Sequence, residues 1–226
     1  MDILLLEKIY YRLGALICHQ ITSRTLVVDG KYLPVCARDT GIYLGMFLSL
    51  VFLYLSKRWD CDKPPRLSLT IILCAFIVFM GWDGITSYLQ IRTTNNMVRL
   101  ISGGLFGMAI PFFLMPIANF KIFNCNKNPA LGTFKELIIL ALLLVLVCMT
   151  IYYGLIKNWW LISSIIIFTM LFIYYRICYS ITVQVFKTAK INQLFISLLL
   201  EILIFTCLYL FSEYILAPIK EVNNLL

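Results

Sequence analysis

Four residues near the N-terminus have the types and spacing of a metal site: Cys18, His19, Cys36 and Asp39. Thiolate, imidazole and carboxylate groups all ligate zinc, and the seventeen residues between Cys18 and Cys36 fall within the range that separates ligand pairs in zinc sites. Adjacent residues point apart, so Cys18 and His19 reach one ion only if the backbone bends between them. The pattern predicts one tetrahedral zinc ion held by Cys18, Cys36 and Asp39, with His19 or a water completing the shell.

A second polar group surrounds the turn between the second and third apolar segments. If a helix begins at Leu67, Asp83 lies about 24 Å along it, at the edge of the hydrocarbon. A carboxylate is costly there, and a helix C-terminus disfavours negative charge, so local stability does not explain it. We expect Asp83 to face a polar pocket in which Arg92, Asn95 and Arg99 hold an anionic head group. Asp83 would orient the arginines or serve as the catalytic base.

Both groups also have structural interpretations. Asp83 can pair with Arg92 or Arg99 as an internal ion pair, and Asn95 can cap the third apolar helix. Asp39 can cap the first apolar helix. Cys18 can pack as a small apolar residue beneath an N-terminal helix.

The composition determines which elements must position these residues. Of 226 residues, 62% are hydrophobic and only 13% are charged, and the mean hydropathy is +0.91. Such a chain must turn apolar side chains toward lipid, and its apolar stretches are long enough to cross a hydrocarbon core of about 30 Å as helices. The fold class is therefore all-α, a polytopic membrane helix bundle of about six spans. The predicted spans are 40–56, 67–90, 98–118, 134–156, 159–175 and 193–216.

The N-terminal residues do not span. Residues 3–17 are too short and too charged, and they indicate an amphipathic helix lying in the membrane interface. The polar segment that follows contains a predicted turn at Asp29-Gly30. Residues 1–39 thus form an N-terminal module and residues 40–226 the transmembrane domain.

The net charge of +8 records topology. The basic residues lie in short connections between apolar runs, which indicates contact with the lipid bilayer and excludes a nucleic-acid footprint. Lys and Arg that flank the spans are more frequent after spans one, three and five, which predicts that both termini are extracytoplasmic. The N-terminal module and the 91–97 loop must share one face, because two spans separate them.

Several other residues have structural interpretations. Gly103, Gly104 and Gly107 give the third span a small face for close helix packing. Thr133 and Glu136 have the spacing of a capping box. Placement at a helix end accounts for three charged residues in the second half of the chain, because Arg176 ends the fifth predicted span and the last span is bracketed by two acids. Those acids are Glu201 and Glu213.

The sequence resembles a family of uncharacterised, predicted prokaryotic membrane proteins, a domain of unknown function. The likeness begins with Cys-His-Gln at residues 18–20, is followed by Arg24, and continues with the pattern Pro-x-Cys-x-Arg-x-x-Gly-Ile-Tyr at residues 34–43. It extends through Asp83-Gly84 and on to about residue 107. The resemblance implies a membrane location and a shared site, and it supplies no activity.

One position departs from that family pattern. Where such proteins usually have Cys-x-Arg-Cys, this chain has Cys36-Ala37-Arg38-Asp39. An aspartate oxygen can replace a thiolate as a metal ligand but cannot form a disulfide. The replacement favours metal binding, and it leaves open a Cys18 to Cys36 disulfide, which an extracytoplasmic location permits.

Three functional hypotheses follow. The first is a zinc-dependent membrane-embedded enzyme, or a lipid-binding protein, that acts at the outer face on an anionic or phosphorylated lipid-linked ligand. The second is a thiol-disulfide membrane redox protein that uses Cys18 and Cys36. The third is a small transporter or assembly factor in which the metal site is structural.

Overall fold

The computed structural model describes residues 3–120, 128–186, 189–211 and 214. Within these residues the secondary-structure elements are helices and one short β-hairpin, joined by turns and loops. The elements are α1 (Ile3–Ala15), a 3-10 helix (Thr22–Arg24), β1 (Val27–Val28), β2 (Lys31–Tyr32), α2 (Ala37–Leu55), α3 (Leu67–Tyr88), α4 (Asn96–Asn119), α5 (Phe134–Tyr152), α6 (Trp159–Val185) and α7 (Lys190–Phe211).

Helices α2 to α7 are the predicted spans. Each of these six helices, within the described part of the chain, is long and apolar enough to cross a membrane. The all-α class and the short N-terminal helix are confirmed. Because successive spans alternate in direction, the starts of α2 and α4 and the end of α3 lie at one end of the bundle.

The predicted boundaries differ in α6 and α7. Arg176 does not end the fifth span, because α6 continues to Val185 and the Arg176 guanidinium lies over the Tyr179 ring one turn later. Glu201 lies in the middle of α7 and is buried, so the expectation that it brackets the last span is wrong. Glu213 and the predicted end of that span at 216 lie outside the described residues.

The N-terminal segment folds over the end of the bundle at which α2 and α4 begin. The backbone has positive φ at Asp29 and Gly30, which forms the predicted turn and pairs β1 with β2 antiparallel. The Tyr10 hydroxyl and the Ser164 Oγ atom of α6 lie 3.0 Å apart, and the Trp159 Nε1 atom donates to the Tyr32 carbonyl at 2.8 Å. The module is thereby tied to the start of α6.

Helices α2 and α4 approach closely through glycines on both. A Cβ atom added at Gly41 would lie 2.0 Å from the Leu100 carbonyl oxygen, and one at Gly107 would lie 1.9 Å from the Ile42 carbonyl oxygen. The small face predicted for the third span is confirmed as a helix-packing surface. Gly103 belongs to it and contacts the Arg38 carbonyl, so the close packing fixes the first turn of α2 against α4.

At the opposite end of the bundle, a capping box and an ion pair stabilise the start of α5. Thr133 and Glu136 form the predicted capping box. The Glu136 carboxylate also accepts two hydrogen bonds of 2.9 Å from Arg58, which follows α2. This bidentate pair joins the loop after α2 to the start of α5.

Candidate metal and anion site

Gln20 shapes the backbone around the two sulfur atoms. It has a positive φ of 50°, and its side-chain amide donates to the carbonyl oxygens of Tyr11 at 2.7 Å and Pro34 at 2.8 Å. These bonds join the end of α1 to the strand-like segment before α2. The resulting turn brings the Cys18 Sγ atom to the Cys36 backbone N–H, but it does not bring His19 into the same ligand group. Sequence reasoning gave Gln20 no role, although the residue belongs to the Cys-His-Gln pattern.

Cys18, Cys36 and Asp39 form a group that could hold a metal ion. One ligand atom from each lies within 4.8 Å of the others, and both cysteines are free thiols. The Cys36 Sγ atom donates to the Asp39 Oδ2 atom at 3.2 Å, and the Cys36 backbone N–H donates to the Cys18 Sγ atom at 3.1 Å. His19 is exposed and lies outside this three-residue group, but it lines the cavity next to it.

The two thiols influence each other's ionisation. The hydrogen bond between their side chains lowers the pKa of Cys36 and raises the pKa of Cys18. Burial and the charges of Asp39 and Cys36 raise the Cys18 pKa further. One thiolate of the pair therefore forms more readily than an ordinary cysteine thiolate does, while the second proton is retained. A metal cation would displace that proton as it binds.

Asp83 lies at the centre of the second polar group. It is fully buried on the bundle side of α3, with no exposed side-chain surface. Its Oδ1 atom accepts from Arg92 at 2.5 Å and from Thr94 at 3.4 Å. Its Oδ2 atom accepts from Arg38 at 2.6 Å and from Ser102 at 3.2 Å. Two cations and two hydroxyls thus compensate the carboxylate that the sequence placed at the edge of the hydrocarbon.

Arg38 joins the two groups, and sequence reasoning missed this contact. It lies between Cys36 and Asp39 in the chain and reaches across to Asp83 in α3. Its Nε atom is buried and has no hydrogen-bond partner among the described residues. The sequence did contain a signal for this contact. A buried acid needs a cation, and alternating spans bring the start of α2 to the end of α3.

Of the three predicted ligand-binding residues, Arg92 contacts Asp83, whereas Asn95 and Arg99 lie nearby and bond to other described residues. Asn95 caps α4, because its side-chain oxygen accepts from the Val98 backbone N–H at 2.8 Å. Arg99 donates to Asn96 at 2.9 Å and to Ser87 at 3.5 Å. Arg92 is 46% exposed despite its bond to Asp83, so its guanidinium is accessible at the bundle surface.

A cavity of about 230 Å³ lies between the module and the bundle. Arg24 and Arg38 line it beside the thiols and Asp39, and the Arg24 guanidinium lies 5.4 Å from the centroid of the Tyr88 ring. A second, shallower cavity of about 340 Å³ is lined by Arg92, Asn95 and their neighbours.

The charges around these cavities do not balance. In the described part of the chain, four arginines surround two carboxylates, an arrangement that attracts anions. The arginines are Arg24, Arg38, Arg92 and Arg99, and the carboxylates are those of Asp39 and Asp83.

The fold and the site define a multi-pass α-helical membrane protein whose N-terminal segment builds a thiol, carboxylate and arginine site at one end of the bundle. The chain belongs to the family of predicted membrane proteins DUF2085, whose family model matches residues 18–113. The resemblance drawn from the sequence is thereby confirmed. The matched range begins at Cys18 and ends within α4, so it contains the candidate metal ligands and all the arginines and carboxylates of the site.

Relatives of this chain include two archaeal proteins. Uncharacterized protein MJ1492 of Methanocaldococcus jannaschii is 33% identical over 107 residues, which are 47% of this chain and 67% of that protein. An uncharacterized protein of Methanothermobacter thermautotrophicus is 36% identical over 87 residues, which are 38% of this chain and 74% of that protein. No solved structure matches the chain.

Proposed function

We propose that this protein binds an anionic, phosphorylated lipid-linked ligand at the module end of the bundle, next to a zinc ion held by Cys18, Cys36 and Asp39. The observation that carries the proposal is the contact of Arg38 with Asp83. It makes one continuous site of the thiol group and the arginine cluster. The function is that of a lipid-binding protein or of a membrane-embedded enzyme in which Asp83 is the base.

The depth of the site favours a lipid head group. Asp83 is five residues before the end of α3, which corresponds to about 7 Å along the helix axis. Phosphate groups of membrane lipids lie at this boundary between hydrocarbon and water. Guanidinium groups bind phosphate with two parallel hydrogen bonds, and Arg92 is exposed enough to exchange one of its contacts for a ligand.

The module is proposed to lie on the extracytoplasmic side, as the distribution of Lys and Arg predicts. On that side the two thiols can either ligate a metal or be oxidised to a disulfide. Zinc ligation needs three protein ligands and a fourth group, and His19 at the edge of the cavity or a water would complete the shell. Bound zinc would polarise a phosphate oxygen or activate a water molecule.

Lipid retention tests the anionic ligand. Purified protein in mild detergent would be offered dioleoyl phosphatidic acid and, separately, dioleoylglycerol, which lacks the phosphate, and retention would be measured by native mass spectrometry. We expect preferential retention of phosphatidic acid, with about tenfold weaker binding in Arg24→Gln and in Arg92→Gln, because each loses one charge-assisted contact of about 1.5–3 kcal/mol. Binding should also weaken with salt.

Lys57→Gln is the matched control, because Lys57 lies in the connection at the opposite end of the bundle. It should retain phosphatidic acid as the wild type does. Equal retention of both lipids, or equal losses in Arg24→Gln and Lys57→Gln, would show that the arginine cluster is not an anion site.

A redox function is the second candidate, because two free thiols are within 4.8 Å of each other. Thiol counting on the unfolded protein, with and without reductant, tests it. A pair of thiols that becomes accessible only after reduction, and that maps to Cys18 and Cys36, would favour a disulfide over a bound metal.

A further inference from the structure

A third charged site lies in α7, outside the range that the family model matches. Glu201 is eleven residues after the start of α7 and ten before its last described residue, so it lies near the middle of the span. Only 8% of the residue is exposed. A carboxylate at this depth is costly unless a cation or hydrogen-bond donors compensate it.

No described residue compensates Glu201. The ion pairs of the described chain join other residues, and none of its hydrogen bonds reaches the Glu201 side chain. The neighbouring hydroxyls of α7 are already occupied, since Ser197 donates to the Gln193 carbonyl and Thr206 to the Ile202 carbonyl. In the absence of a cation, the neutral acid is therefore the stable form.

Glu201 faces a groove between α1, α6 and α7. The groove has a volume of about 630 Å³, which is within the range of small-molecule sites. Its walls are mainly aliphatic, with Leu13 from α1, Leu171 from α6 and Leu198 from α7, and Phe205 lies one turn from Glu201. From Leu198 to Tyr209 it follows about 16 Å of α7, roughly the thickness of one leaflet of hydrocarbon.

The other charged residue of the groove is Arg12. It is exposed, and it belongs to the helix that covers the interfacial end of the bundle. A long arginine side chain at this position can extend to the head groups. No ion pair joins it to Glu201.

We propose that Glu201 is the anionic anchor of a binding site for lipophilic cations, that is, for ammonium or phosphonium compounds with a large apolar body. The apolar body packs against the leucines, the aromatic ring of Phe205 favours a cation, and the carboxylate supplies the opposite charge. Binding exchanges one proton for one cation: the Glu201 carboxyl releases H⁺ to solvent as the ligand enters. Charge is thereby conserved in the groove. This site is independent of the one proposed at the module end.

The exchange makes binding depend on pH, with a sign that follows from the competition. Acidification protonates Glu201 and weakens cation binding, and a rise in pH strengthens it. The other groups that face Glu201 are Arg12 of α1, Tyr175 and Cys178 of α6, and Tyr209 of α7. Guanidinium, phenol and thiol groups ordinarily keep one protonation state between about pH 5 and 7, so the carboxyl accounts for the proton released in that interval.

Tetraphenylphosphonium is the probe for the test. Calorimetry on the purified protein in detergent would measure its binding, and a pH indicator in weak buffer would measure proton release. We expect saturable binding with about one proton released per cation, and at least tenfold weaker binding in Glu201→Gln. Glu7→Gln, which removes an acid of α1 outside the groove, should bind as the wild type does. Arg12→Gln should bind as well or better, since it removes a like charge.

A second measurement keeps the test valid if Glu201→Gln does not fold. Dicyclohexylcarbodiimide modifies protonated carboxyls in apolar surroundings, and mass spectrometry would locate the adduct on wild-type protein. Labelling of Glu201 that tetraphenylphosphonium blocks supports the site. Labelling that the cation leaves unchanged, or calorimetry without saturable binding, overturns it. Unfolding of Arg12→Gln together with absent labelling would overturn it too, because Glu201 would then be the partner of an internal ion pair.

Discussion

The Nη2 atom of Arg38 donates a hydrogen bond of 2.6 Å to the Oδ2 atom of Asp83, joining the first turn of α2 to the last turns of α3 across 45 positions of sequence. In the chain Arg38 lies between Cys36 and Asp39, two members of the candidate metal group, so its contact links that group to the buried acid. The carboxylate shares its other oxygen with Arg92. Removal of Asp83 would leave two arginines without a counter-charge, and removal of Arg38 would leave only the partly exposed Arg92 to compensate the buried acid.

Asp83→Asn should destabilise the protein by about 3–5 kcal/mol, because it leaves two arginines facing an uncharged amide in a buried site. Thermal unfolding in detergent, followed by tryptophan fluorescence, measures this loss. Because Asp83 has no exposed surface, solvent cannot replace the lost carboxylate.

A double-mutant cycle provides the control. Arg38→Gln combined with Asp83→Asn removes both partners of the ion pair, so the double variant should be less destabilised than the sum of the two single variants. Losses that add without coupling would show that the Arg38 to Asp83 contact does not contribute to stability.

The spans could be predicted from the sequence, because the bilayer dictates their length and apolar composition. The sequence was also sufficient for the burial of Asp83, since a charged residue at that depth must face the bundle. Only one of the two arginines that pair with Asp83 was predicted. Arg92 is near Asp83 in the chain, whereas Arg38 reaches it only after α2, α3 and α4 have packed.

The second half of the chain was less predictable. A charged residue in an apolar run is easily taken for the end of a span, and this led to errors at Arg176 and Glu201. Helix α6 extends beyond Arg176, and the Arg176 guanidinium lies 5.2 Å from the centroid of the Tyr179 ring in the next turn. Glu201 is accommodated because α7 turns it toward a groove formed with α1, which depends on tertiary packing.

Gly107→Ala should destabilise the bundle by about 1–3 kcal/mol or more, because overpacking of a close contact forces the backbone apart. The added methyl group would lie 1.9 Å from the Ile42 carbonyl oxygen, which is backbone and cannot rotate away. The loss would be measured as a lower midpoint of thermal unfolding. Separation of α2 from α4 would also move Arg38, so binding of phosphatidic acid should weaken in parallel.

Gly81→Ala is the matched control within the same bundle. A Cβ at Gly81 meets nothing within 4 Å, and alanine favours helix over glycine by about 0.5–1 kcal/mol. Its unfolding midpoint should equal or exceed that of the wild type. Equal destabilisation by both substitutions would contradict the close approach of α2 and α4.

The Cys61 thiol provides a test based on pH. Burial raises its pKa to about 11, whereas an ordinary cysteine has a pKa of about 8.5. At pH 8 the thiolate fraction should thus be lower by a factor on the order of 100, and alkylation by iodoacetamide should be slower by at least that factor. The rate should rise about tenfold per pH unit up to about pH 11. Mass spectrometry of the peptide containing Cys61 measures it.

The same shift has a consequence for stability. Since the folded-state pKa is raised, the folded chain retains the proton more strongly than the unfolded chain does. Stability from this group is complete below about pH 8.5 and is lost as pH rises toward 11. Alkylation in sodium dodecyl sulfate, which unfolds the site, is the control and should be fast already at pH 8. Equal alkylation rates with and without sodium dodecyl sulfate would contradict the burial of Cys61.

The metal group gives the last prediction. Wild-type protein purified without chelator should contain about one zinc ion per chain, and Cys36→Ser and Asp39→Ala should lose most of it, because each removes one of three protein ligands. Asp39→Cys should retain zinc, since a thiolate at that position restores a ligand of equal charge. Cys148→Ser is the control, because Cys148 is buried in α5, outside the metal group. Elemental analysis by mass spectrometry measures all five proteins. Zinc that persists in both Cys36→Ser and Asp39→Ala would place the metal elsewhere in the chain.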